Sequence, residues 1–310
     1  MSLTNFPNGI SSFGIPQLGG GGNLIPQTTG SYFFVDSNTG DDAGNEATFS
    51  KPVATIDAAI NKCTASKGDV IIVMPGHAET IADATSLVPD VAGITIVGLG
   101  NRFNRPTITY SATGSEIIVT AENVTFRNLI FQAGVSAVAT AIDVNANNVN
   151  IEQCLFYYGG TTTYDFVLSV DIDAFDNTVI TDCEFYAEAA TAGSSGAIRI
   201  DDANYITIQR NWFHGNYSDS AIANIAADAL GIGLLITDNE IYNDDTAGVS
   251  NSIELANACT GLIARNCCAG LEAGSAVLNI DPGSCLLCQN FGVNAINEVD
   301  VACGSGTAST

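Results

Sequence analysis

The chain runs to 310 residues with 46% hydrophobic content, enough for one long solenoid or two ordinary domains. Its 33 acidic and 9 basic residues give a net charge of -24, and every lysine lies at or before Lys67, so no basic stripe exists to neutralise phosphates and nucleic acid is excluded as a partner. No apolar run is long enough to span a bilayer, and residues 1–30 lack a basic stretch leading into an apolar core, so neither a membrane anchor nor a secretion signal is expected.

Residues 1–30 scatter Phe6, Ile10, Phe13, Ile15, Leu18, Leu24 and Ile25 among Gly, Pro, Asn and Ser, with four consecutive glycines at 19–22. Such a strip is either a disordered leader or an extended arm docked on another molecule, and its regular supply of large apolar residues favours docking. Residues 32–35 read as a strand and residues 36–47 as an acidic loop. Ala54, Ile56, Ala59 and Ile60 then lie on one side of a helix expected over 53–66. Residues 70–73 read as a buried strand, so residues 31–69 form a strand and a helix that caps the first coil, which begins at Val70.

From there one phrase returns, Asn148-Val-Asn-Ile-Glu-Gln-Cys-Leu-Phe156. Aligned on its central apolar residue it gives Phe126, Ile151, Ile180, Ile208, Ile236, Ile263 and Leu287, with Ile96 as an earlier member. Spacings in this range mark a solenoid, whose repeats bury their apolar faces only by stacking. Two residues before the anchor stand Val124, Val149, Thr178, Ile206 and Leu234, and the period of two is that of a strand. Two residues after it comes an outward polar column that includes Asp182, Arg210 and Asp238. Five after it the chain is apolar again, at Phe131, Phe156, Phe185, Phe213, Ile241 and Cys268.

Three residues after the anchor, at a bend, the series ends in Asn211, Asn239, Asn266 and Asn290. Stacked asparagines can bond one another from coil to coil, so this column predicts an inward ladder. A further strand precedes most anchors: residues 142–144, 170–172, 198–200, 253–255 and 278–280 each place a polar residue between two apolar ones. Short strands separated by turns rich in Gly, Asn and Asp predict an all-β fold, a right-handed parallel β-helix over 70–303, followed by a flexible tail at 304–310.

Nine cysteines, mostly on expected strands and bends, read as free packed thiols. Cys285 and Cys288 point to opposite sides, so no metal site is expected there. The outward positions of the preceding strands are Asp143, Asp171, Arg199, Glu254 and Asn279, with Asp173, Asp201, Asp202 and Asp281 further on. A pair of carboxylates there could act as acid and base on a polysaccharide, or several could bind calcium beside a basic residue. Each is also the ordinary solvated residue of an outward strand position. His77 and His214 are isolated and read as packed or surface histidines. Tyr157, Tyr158, Tyr164, Tyr186, Tyr217 and Tyr242 come after the phenylalanine column as an aromatic rim that can stack on sugars or pack between protomers.

Phe34-Val-Asp-Ser-Asn-Thr-Gly-Asp41, Lys51-Pro-Val-Ala-Thr-Ile-Asp-Ala-Ala-Ile60 and Lys67-Gly-Asp-Val-Ile-Ile-Val-Met-Pro-Gly76 resemble the entry motif of pectate-lyase-like β-helix proteins. Leu3-Thr-Asn-Phe-Pro-Asn-Gly-Ile10 with Phe13-Gly-Ile-Pro16 and the glycine run resembles the leader of β-helical structural proteins of tailed bacteriophages. The second resemblance implies a virion protein, a capsid decoration or head-fibre protein made in the host cytoplasm. It would be anchored to the major capsid protein through Phe6, Ile10, Phe13, Ile15 and Leu18, and be trimeric. With that role no catalysis and no cofactor is expected. The alternative is a tailspike-type depolymerase or glycan-binding β-helix that meets a host surface glycan at Asp143, Asp171 and Arg199.

Overall fold

The computed structural model of the chain describes residues 10–12, 15–17, 26–44, 46–158, 163–187, 194–224, 231–243, 251–256, 258–270 and 280–294. Three parallel sheets of ten, nine and seven strands run along the molecule, and successive coils add one strand to each. The architecture is a right-handed parallel β-helix.

The ten-strand sheet carries the anchors. Ile71, Ile96, Phe126, Ile151, Ile180, Ile208, Ile236, Ile263 and Leu287 are opposite one another rung by rung. Tyr32–Val35 pairs in parallel with Val70–Val73, so the ladder starts at Tyr32, before the boundary expected at Val70. In the nine-strand sheet Phe131, Phe156, Phe185, Phe213, Ile241 and Cys268 pair in the same way. The rings of Phe156, Phe185 and Phe213 stack at 4.7 Å with interplanar angles of 3° and 6°. Like residues meet because a parallel register repeats each side chain's environment on the next rung.

Left-handed backbone bounds each anchor strand. Two residues after the anchor, Asn128, Gln153, Asp182, Arg210, Asp238, Arg265 and Gln289 all have φ between 53° and 58°. Three residues before it, Gly68, Gly93, Asn123, Asn148, Asn177, Tyr205 and Gly233 also have positive φ. Such a backbone strains a residue with a Cβ. Hydrogen bonds that continue the ladder around the corner compensate: Gln153 N–H donates to Thr181 O, Asp182 to Gln209 O and Arg210 to Thr237 O.

The asparagines fill the bend. Asn211, Asn239, Asn266 and Asn290 are all buried. Asn239 Nδ2 donates to Ile208 O at 2.9 Å and to Asn266 Oδ1 at 2.9 Å, while its Oδ1 accepts the backbone N–H of Asn211 at 2.9 Å. The pattern repeats down to Asn290. Above the asparagines a thiol takes over: Cys183 Sγ accepts from Cys154 N–H and donates to Ile151 O, both at 3.4 Å. The eight cysteines among the described residues are free. Cys285 is buried, and burial together with the neighbouring Cys259 pushes its thiol up to about 12, while Cys288 is exposed.

The capping helix is shorter than expected, Ile56–Ile60 rather than 53–66. Thr55 caps it by accepting Ala58 N–H, and Ile56, Ala59 and Ile60 are its buried residues. It stops because the Thr64 amide is taken by the Asp69 carboxylate, and Asn61, Lys62 and Thr64 provide no further apolar face. His77 is structural. Its Nδ1 accepts Ser37 N–H at 3.0 Å, which leaves Nε2 to donate to Glu79 Oε2 at 3.2 Å, and Glu79 also accepts the Ile56 amide. In the arm, Ile10–Ser12 and Ile15–Gln17 pair antiparallel. Phe6, Phe13 and Leu18 lie outside the described residues, as does the tail expected at 304–310.

Candidate functional site

The seven-strand sheet positions the charged residues. Val138–Val144, Phe166–Ile172 and Gly196–Ile200 place Ile142, Val170 and Ile198 in the core and Asp143, Asp171 and Arg199 opposite one another on the outside. The next strand, Ser220–Asn224, has no counterpart among the strands expected from the sequence. It sets Ala223 opposite Arg199 and Glu254 opposite Ala223. The place expected for Asn279 is corrected: Ile280 pairs with Ile253, so Asp281 stands opposite Glu254, and residues 271–279 lie outside the described part. The row therefore reads Asp143, Asp171, Arg199, Ala223, Glu254, Asp281.

Its centre is an ion-paired cluster. Arg199 Nε donates to Asp171 Oδ1 at 2.9 Å, its Nη2 donates to Asp171 Oδ2, and Nε also lies 3.2 Å from Asp201 Oδ2. Asp171 is buried, and burial raises its carboxyl above the ordinary value while Arg199 pulls it back. Burial works to lower the Arg199 guanidinium, but the bonds and charge of Asp171, with Asp201 and Asp173, outweigh it and raise it.

Asp143 has no such cation among the described residues. Its Oδ2 accepts from Asn145 Nδ2 at 2.8 Å, whereas Oδ1 is buried with no hydrogen-bond partner among the described residues. Burial, then the charges of Asp173 and Asp171, push this carboxyl up to about 6. Burial thus raises the carboxyl groups of both Asp143 and Asp171, on neighbouring rungs, but of the two only Asp171 has a guanidinium bonded to it.

Asp171, Asp173 and Asp201 carry oxygens that lie within 4.8 Å of one another, a spacing that can hold a metal ion. Arg199 already bonds two of the three, so a cation would have to displace the guanidinium. Beside Arg199 opens a cleft of about 100 Å³ whose walls include Leu168, Ser195, Asp219, Ser220 and Ala223. It exists because Gly196 and Ala223 contribute almost no side chain at their rungs.

Other candidates are dispersed. Asp202 is exposed on a left-handed turn residue, and Ser220 Oγ donates to Glu254 Oε2 at 3.1 Å. Tyr217 is no part of the aromatic rim: it is fully buried, with its hydroxyl donating to Phe185 O at 3.4 Å. Tyr164 packs partly buried against the core. Glu116, not singled out in the sequence, also has its carboxyl raised, by burial and by Asp171.

No protein-family model and no curated protein matches the chain. Solved structures do. A rhamnogalacturonan lyase matches at 13% identity and a TM-score of 0.50 over 84% of this chain and 87% of that one. The pectate lyase Pel9A matches at 15% and 0.43, over 91% and 82%. A pectin methylesterase from Aspergillus niger matches at 14% and 0.44, over 89% of each chain. The expectation of a chain without catalytic activity is corrected by this comparison, since the solenoid is shared with a rhamnogalacturonan lyase. The chain has the pectate-lyase-like parallel β-helix fold.

Proposed function

We propose that the chain is a polysaccharide depolymerase of tailspike type that binds and cleaves a surface glycan at the Asp143, Asp171, Arg199 face. The observation that carries the proposal is the raised carboxyl of Asp143 one rung from an Asp171 ion-paired with Arg199. Strands on adjacent rungs stand roughly 4.8 Å apart, and a carboxyl pair of about that separation suits glycoside hydrolysis. Asp143, protonated at mildly acidic pH, donates its proton to the glycosidic oxygen as the bond to the anomeric carbon breaks. Asp171, held as a carboxylate by Arg199, faces the positive charge that develops on the sugar, and water then adds to the anomeric carbon and gives its proton back to Asp143. Arg199 fixes that carboxylate, and the cleft beside it receives the neighbouring sugar.

Arg199, bonded to both Asp171 and Asp201, favours this hydrolytic scheme over one that runs through bound calcium. Incubating the protein with host capsule or a pectin-like polymer, with and without calcium, separates the two. New reducing ends without unsaturated products, independent of calcium and lost in Asp171→Ala, are expected. Unsaturated products formed only with calcium would replace hydrolysis by elimination, and no turnover on any polymer would remove the depolymerase reading.

Attachment to a phage particle through residues 1–30, with display as a trimer, completes the same proposal and is supported by the leader's resemblance. Three arms on one trimer would multiply a weak single-arm affinity through effective concentration. Binding of the full chain and of a chain starting at Ser31 to particles lacking the protein tests it. Equal binding by both would show that the arm is not the anchor.

A further inference from the structure

The outer face of the nine-strand sheet carries a feature that cleavage does not use. Outside the phenylalanine stack, Tyr157, Tyr186, His214 and Tyr242 stand opposite one another on successive rungs. Trp212 lies in the adjacent column, opposite Glu184 on one side and Glu240 on the other. The rings are in continuous contact: Tyr158 with Tyr186 at 5.5 Å, Tyr186 with Trp212 at 5.5 Å, Trp212 with His214 at 5.4 Å and His214 with Tyr242 at 5.0 Å. Phe103, 75% exposed, extends the row beyond Tyr157.

Outward positions of a solvent-facing sheet are ordinarily polar, and the inward phenylalanines already supply the packing of this one. From Tyr157 to Tyr242 the row crosses three rung steps, about 14 Å at strand spacing, long enough for more than one sugar ring. We propose that this aromatic track is a second glycan-binding site, one that holds a neutral polysaccharide by stacking pyranose faces on the rings.

Charge selects the occupant. Glu184 and Glu240 are exposed beside Trp212. A second copy of a chain with a net charge of -24 would set its own glutamates against these, and an acidic polymer is repelled in the same way. A neutral sugar chain offers C–H faces to the rings and hydroxyl donors to the carboxylates, and every ring from Tyr157 to Tyr242 has a polar tip for its hydroxyl groups. The track and the acidic row occupy different sheets, so they share no residue. The proposal rests on the depolymerase reading only for the class of ligand.

Trp212 is the chain's one tryptophan, so its emission reports from the middle of the track. The full-length Asp171→Ala variant, which leaves polymers uncut, is titrated with dextran, galactomannan and hydroxyethylcellulose, and with polygalacturonate as the acidic control. Saturable change in emission is expected with at least one neutral polymer and weaker change with polygalacturonate. Added to that background, Tyr186→Ala or Tyr242→Ala should weaken binding about tenfold, with thermal unfolding unchanged, while Tyr242→Phe should retain it. No saturable change with any neutral polymer, or unchanged affinity in Tyr186→Ala, would overturn the proposal. So would a dimer, seen by sedimentation, that Tyr186→Ala dissociates. Emission change in a wild-type chain that cuts nothing would instead keep the track and remove the depolymerase reading.

Discussion

Two polar columns run along the same solenoid, and they differ in how completely they satisfy themselves. In the asparagine ladder Asn211, Asn239 and Asn266 each bond the coil above and the coil below. In the acidic row, Arg199 satisfies Asp171, but among the described residues the column provides no second cation for Asp143, and Ala223 interrupts it beside a cleft. A self-satisfied column holds the fold. A column with a carboxyl left over has protonation and space available for a ligand, and that surplus distinguishes a candidate site from a structural stack.

The largest expected effect lies in the packing that underlies both columns. Phe156→Ala empties a stacked position between Phe131 and Phe185 and should cost about 3–5 kcal/mol in chemical denaturation. An unchanged unfolding midpoint would contradict the register. Next comes the ladder itself. Asn239→Leu strands the Asn211 amide and the Ile208 carbonyl, so a loss of about 2–4 kcal/mol is expected.

The acidic row should respond in the opposite direction. Folded Asp143 keeps its proton up to about pH 6, whereas an unfolded carboxyl loses it near 3.8, so the fold binds more protons in that window and its stability falls as the pH rises through it. Asp143→Asn should therefore raise the melting temperature at pH 7 and leave it nearly unchanged at pH 3. A variant less stable than wild type at pH 7 would show that the ionised carboxylate is well accommodated. Smallest is the surface pair of Asp182 and Arg210. Both side chains are largely exposed, and despite bidentate contact at 2.8–2.9 Å, Arg210→Ala should change stability by less than about 1 kcal/mol.

Much of this contrast is legible in the residues. The anchor, phenylalanine and asparagine columns can be read because parallel coils repeat one environment, so like side chains recur at a nearly constant interval. The strand Ser220–Asn224 is hidden because Ala223 fills its outward position, leaving no polar residue between apolar ones. Asn279 is misplaced because Leu278-Asn-Ile280 imitates that same pattern two residues too early. Left-handed backbone at Gln153, Arg210 and Arg265 has no sequence signal, since long unbranched side chains seldom mark such turns. Asp143 and Asp171 fall in the right row from sequence alone, but their unlike surroundings depend on burial and on where Arg199 bonds, which only the folded chain defines.

The cleavage assay as a function of pH, run on wild type and Asp143→Asn with one polymer, tests the central claim most directly. Wild-type release of reducing ends is expected to decline as the pH rises past about 6, where Asp143 loses its proton, and to be abolished in Asp143→Asn. Equal rates in the two chains, with the same pH profile, would contradict it.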